Sequence, residues 1–123
     1  MWINHIENPE RVNKFFTALP QLDNLLITTF SLEKDHSLKI GVELNQFPDK
    51  RLYKLSDGNT CAITFHFTDL IDITIQGWAE ENYIDLSFNK YSCYFKVKCY
   101  SKSCSIKFLC RKIYISDVGV YVT

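Results

Sequence analysis

After Pro20 the sequence breaks into short runs in which apolar and polar residues alternate, and this period of two is the strongest constraint on the fold. Alternate side chains on a strand face the same side, so each run predicts a strand with one buried and one wet face. "NLLITTFSLEK" predicts the first, and "KDH" at 34 to 36 turns the chain into a second, where Leu38, Ile40, Val42 and Leu44 alternate with Lys39, Gly41 and Glu43. "CAITFHF" gathers Cys61, Ile63, Phe65 and Phe67 on one face, and "LIDITIQGW" sets Ile71, Ile73 and Ile75 opposite Asp72, Thr74 and Gln76. Another strand runs from Tyr83 to Phe88 with Ile84, Leu86 and Phe88 inward, and Asn89-Lys90 reads as the tip of a tight hairpin. "KIYISDVGVYVT" adds one or two more. The polar connection from about Asn45 to Asn59, with Pro48 and the Asp57-Gly58 turn, is expected to be the most mobile segment.

Before this run stands one helical pattern. Asn8 is placed to cap it and Pro9 suits its first position; Val12, Phe15, Phe16 and Leu19 recur at helical spacing until Pro20. The expected fold is therefore α+β and mainly β: an antiparallel meander of about eight strands curled into a barrel-like or two-layer sheet, with one N-terminal helix over an opening or an edge. A chain of 123 residues with 46% hydrophobic and 15% aromatic content can bury a core as a single domain, 1 to 123, without metal or disulfide support. No apolar run approaches the ~20 residues of a membrane span, and the start "MWINHIENPE" has no basic, apolar leader pattern, so a cytoplasmic protein with reduced thiols is expected.

The window "YSCYFKVKCYSKSCSIKFLC" holds four of the five cysteines and invites reading as a metal site. Its phase argues otherwise. Cys93 and Cys99 share parity with Phe95 and Val97, and Cys104 and Cys110 share it with Ile106 and Phe108, so all four are expected to be packing residues. Structural zinc sites usually include a close pair of ligands with a second knuckle, a pattern missing from this window.

Other chemistry is sparse in the sequence. His5, His36 and His66 lack ligand partners at metal spacing, no glycine-rich phosphate loop occurs, and no nucleophile elbow accompanies His66 and Asp69. No catalytic residue, metal or cofactor is expected, and an enzyme is disfavoured. Charge is more informative. From Leu55 to Asn89 the charged residues are all acidic, Asp57, Asp69, Asp72, Glu80, Glu81 and Asp85; from Lys90 to Lys112 they are all basic. Adjacent strands would convert that order into an acidic and a basic region of the surface, able to steer a charged partner or to neutralise each other. Net charge is zero, so nucleic acid is a poor fit as partner. "QGWAEEN" sets Trp78 beside Glu80 and Glu81, the type of amphipathic ring that anchors protein interfaces or, alternatively, lids the end of a core.

An N-terminal Trp with a short helix, the stretch "FFTALPQLDNLLITTFSLEKDHSLKIGVELNQFPDK", the strand "LIDITIQGW" and a C-terminal run ending in Tyr121 together resemble the immunity protein 50 family of bacterial polymorphic toxin systems. Trp2, Pro20, Pro48, Gly77 and Trp78 carry the likeness. The resemblance implies a cytoplasmic, non-catalytic inhibitor that binds and neutralises a cognate protein toxin. On that basis Asp72, Trp78, Glu80, Glu81 and Asp85 are the candidate toxin-binding residues, suited to a basic site such as that of a nuclease. Whether the protein is a monomer or a homodimer stays open. The alternative function is a small β-barrel whose aromatic interior holds an apolar ligand.

Overall fold

The structure, a computed structural model, describes residues 1–45 and 60–121. The polar connection expected between Asn45 and Asn59 lies outside the described residues except for Asn45 itself. A 3-10 turn at Trp2–His5 and a short helix α1 (Glu10–Asn13) precede eight strands: β1 (Leu25–Glu33), β2 (Ser37–Glu43), β3 (Thr60–Thr68), β4 (Asp72–Gln76), β5 (Tyr83–Tyr91), β6 (Tyr94–Tyr100), β7 (Ser105–Cys110) and β8 (Lys112–Tyr121). All pairings are antiparallel, and the spatial order is β4-β7-β6-β5-β1-β2-β3-β8.

That order divides into two halves of four strands. Within each half the ladders are long, whereas β1 and β5 pair only through Leu25 with Ile84 and Leu26 with Tyr83. Past this narrow hinge the halves fold over each other. Phe67 on β3 lies 6.0 Å from Phe88 on β5 and 4.8 Å from Phe108 on β7, ring centre to ring centre. Phe65 stacks beside Phe67 and meets Phe88 edge-on. Each such side chain contributes about 1.5–3 kcal/mol by leaving water, so this aromatic chain is the main adhesive between the halves. The sheet is two-layered and open: β4 and β8 are its edges.

The strand alternation read from the sequence holds through most of the chain. On β3 the buried residues are Cys61, Ile63, Phe65 and Phe67; on β5 they are Ile84, Leu86 and Phe88. The turn at 34 to 36 forms where expected, with His36 in the left-handed region at φ 60°. The C-terminal run is one strand, kinked between the pairs of Thr64 with Asp117 and Phe65 with Ile115, so that Ser116 is the extra residue.

Four details differ from expectation. The N-terminal helix is one turn long, Glu10–Asn13, instead of reaching Leu19. Helices this short gain little by themselves, and here tertiary contacts organise the segment. Phe16 is buried without a helix around it, and the Trp2 Nε1 donates to the Pro20 carbonyl at 2.9 Å. The hairpin tip falls at Ser92-Cys93, not Asn89-Lys90: Tyr91 pairs with Tyr94, their rings stack at 5.9 Å, and Ser92 takes φ 50°. Cys93 is consequently exposed on a turn, leaving Cys61, Cys99, Cys104 and Cys110 as the packing cysteines. Desolvation pushes the thiol of Cys61 up to about 11 and those of Cys99 and Cys110 up to about 12, so they stay protonated and inert. Finally, the isoleucines of the β4 region share one face, but Ile71 and Ile75 are 53% and 40% exposed because among the described residues no strand lies beyond them.

Candidate functional site

The link from β4 to β5 is a built loop. Gly77 adopts φ 73°, and a Cβ there would sit 1.8 Å from the Ser103 carbonyl oxygen, so only glycine lets β4 pass so close to the chain before β7. Beyond it, the buried Asn82 side chain accepts from the Ala79 N–H at 3.0 Å and donates to the Ala79 carbonyl at 2.9 Å. Its own carbonyl accepts from Ile27 N–H at 2.9 Å, tying the loop to β1. Trp78 is held between these anchors. One edge of its ring meets Phe30 on β1 at 5.6 Å, while 53% of the residue faces solvent beside the exposed Glu80 and Glu81. Sequence reasoning picked out Gly77, Trp78 and the two glutamates but missed Asn82 and Ser103, the residues that fix their geometry. The mixed polar run "AEENY" offered no periodic signal for Asn82.

Asp72 and Asp85 sit elsewhere. Both point to the outer face of the half-sheet β4-β7-β6-β5, Asp72 opposite Leu109 and Asp85 opposite Tyr100. They occupy its two marginal strands, three inter-strand steps apart, and the register sets Asp72 level with Asn89 rather than Asp85, so the two carboxylates lie roughly 20 Å apart at opposite corners of the face. Between them the same face carries Lys96, Lys98 and Lys107, with Lys98 directly opposite Lys107. The separate acidic and basic regions inferred from the sequence are thus interleaved: Asp72 lines one open groove of about 190 Å³ with Thr74, Lys96 and Lys107. Asp85 also has a local duty, accepting a hydrogen bond at 2.9 Å from the N–H of Asn24, whose φ of 51° starts β1. Trp78, Glu80 and Glu81 therefore form one cluster, and the two aspartates flank a lysine-bearing face.

His66 lies on the outward parity of β3, opposite Lys39 and Tyr114. Its Nε2 is buried with no hydrogen-bond partner among the described residues. The Asp35 carboxyl lies below its ordinary range, first through a 2.6 Å hydrogen bond from the Ser37 hydroxyl and to a smaller degree through the nearby His66. Among the described residues no group of three His, Cys, Asp or Glu could hold a metal ion. No helix is long and apolar enough to cross a membrane among the described residues.

The described residues thus form an open two-layer sheet with aromatic rings packed between its halves and a braced, solvent-facing tryptophan loop. The particular family follows from comparison: residues 8–121 match Immunity protein 50, and the chain belongs to that family. No curated protein and no solved structure matches the chain.

Proposed function

We propose that the protein is a non-catalytic, single-domain immunity protein that binds and neutralises a cognate toxin in the bacterial cytoplasm. Family membership supports the class. The observation that carries the site is the Trp78 loop: a large ring braced by Phe30, Gly77 and Asn82, half exposed, with Glu80 and Glu81 beside it. Preorganised aromatic anchors lose little entropy on binding and dominate many interfaces, and adjoining carboxylates suit a cationic counterpart such as the substrate site of a nuclease. Asp72 and Asp85 would extend the contact along the margins of the adjoining face, where the central lysines favour acidic groups on the partner. The interior supports this reading over an apolar-ligand barrel, because Phe65, Phe67, Phe88 and Phe108 fill the space such a ligand would take.

The test is co-expression with candidate toxin domains from the same genome, followed by co-purification. The wild type should restore growth and form a stable complex. Trp78→Ala combined with Glu80→Lys and Glu81→Lys should weaken the complex at least tenfold while thermal unfolding stays cooperative. A complex of unchanged affinity would remove the loop from the interface; absence of rescue by the folded wild type against an active toxin would remove the immunity reading itself.

A further inference from the structure

The two edges of the sheet differ in what covers them. Along β8 the N-terminal segment acts as an extra strand: Glu7 N–H donates to the Ile113 carbonyl at 2.9 Å, and the Asn8 side chain both donates to the Ile115 carbonyl and accepts from its N–H, each at 2.8 Å. Along β4 no backbone or side-chain hydrogen bond reaches the outer edge of residues 72 to 76 among the described residues. Exposed edges are normally blunted by lysine, proline, a bulge or extreme shortness. Asp-Ile-Thr-Ile-Gln contains neither lysine nor proline, pairs with β7 without a register shift, and has the ordinary length of a strand.

The central Ile73-Thr74-Ile75 reads alike in both directions, with Asp72 and Gln76 at matching positions on either side. When two copies are related by a two-fold axis at Thr74, antiparallel pairing sets Ile73 against Ile75 of the second copy, Asp72 against Gln76 and Thr74 against Thr74. Every residue of the strand is used, the isoleucines meet on the inner face, and no like charges oppose each other. Sliding the register until Asp72 faces its own copy would use less of the strand and set two carboxylates together. Ile71 and Ile75, both unusually exposed, lie on the face that the second copy would extend.

We propose that β4 is a homodimerisation edge: two copies pair β4 to β4 in this register, joining the two sheets into one sixteen-stranded sheet. The outer face bearing Asp72 and Asp85 stays open in that arrangement, so the inference does not depend on the toxin-binding reading.

Analytical ultracentrifugation of the full chain tests it, with no toxin present. The wild type should sediment as a concentration-dependent dimer of twice the chain mass. Thr74→Asp is expected to be monomeric and folded, because the new carboxylate faces Lys107 on its own β7 but its own copy across the dimer axis. Gln76→Lys should tighten the dimer several-fold by creating two Asp72–lysine pairs, an outcome that misfolding does not mimic. A wild type that remains monomeric throughout overturns the proposal, as does a dimer indifferent to Thr74→Asp or a Gln76→Lys dimer no tighter than wild type.

Discussion

The β8 edge and the β4 edge of this sheet have the same backbone chemistry and opposite treatments. At β8 one asparagine amide imitates a peptide group, satisfying both the N–H and the carbonyl of Ile115, and the segment that carries it is rooted in the core by Ile3, Ile6, Val12 and Phe16. At β4 the ladder stops among the described residues, and the isoleucines on its inner face remain partly wet. The contrast separates two uses of an edge. A sealed one stabilises the fold, and a bare one is available to another chain.

The sharpest way to break the comparison is to uproot the seal. Phe16→Ala should cost about 3–5 kcal/mol, since the ring is almost fully buried and irregular chain around it closes poorly over a cavity. Urea denaturation would read this as a lower midpoint with an unchanged slope; a loss under about 1 kcal/mol would mean the N-terminal segment is not integral to the core. Next in size is a matched pair of substitutions, one per edge. Asn8→Ala should cost about 1–3 kcal/mol by leaving the Ile115 N–H and carbonyl without their partner, whereas Ile75→Ala at low protein concentration should change stability by about 0.5 kcal/mol or less. Equal effects would erase the distinction. The smallest expected effect concerns pH. Burial, with help from the N-terminal amine and Lys90, holds the His5 imidazole below its usual value of 6.5, so the native protein binds its proton less readily than the unfolded chain. Stability should accordingly be unaffected by this group above 6.5 and should fall as pH drops through and below it, an acid-side loss that His5→Phe removes. A His5→Phe protein with the same pH profile as wild type would exclude the imidazole as the source.

The parts of the fold legible in the sequence are those with a buried face on one side only. Ile63, Phe65 and Phe67 alternate because β3 has β2 and β8 beside it and the core beneath it, and the same holds for β5 and β6. The parts that misled are those in which local signals compete with tertiary contacts. Phe15, Phe16 and Leu19 keep helical spacing, yet the chain there follows Trp2 and Pro20. Asn89-Lys90 is a better turn dipeptide than Ser92-Cys93, yet the Tyr91 and Tyr94 stack and a serine at φ 50° carry the hairpin three residues further. With only four glycines in the chain, left-handed turns fall to Asn24, His36, Asp69 and Ser92, which carry a weaker sequence signal. At the candidate site, Trp78 and its glutamates were visible as an amphipathic cluster. The separation of Asp72 from Asp85 was hidden, because strand order decides it: β6 and β7 come after both in the chain but lie between them in the sheet.

Asn8 and Ile115 are 107 residues apart in the chain. A ribosome releases the asparagine long before its partner. Until β8 emerges, β3 lacks its partner strand, and the anchor residues Val12 and Phe16 lack the neighbour that α1 rests on. Contacts of such long range slow folding and prolong the exposure of sticky surface. This part of the fold therefore commits only when β8 threads between β3 and the waiting segment that carries Asn8, and chaperone demand for it should be greatest just before that strand emerges.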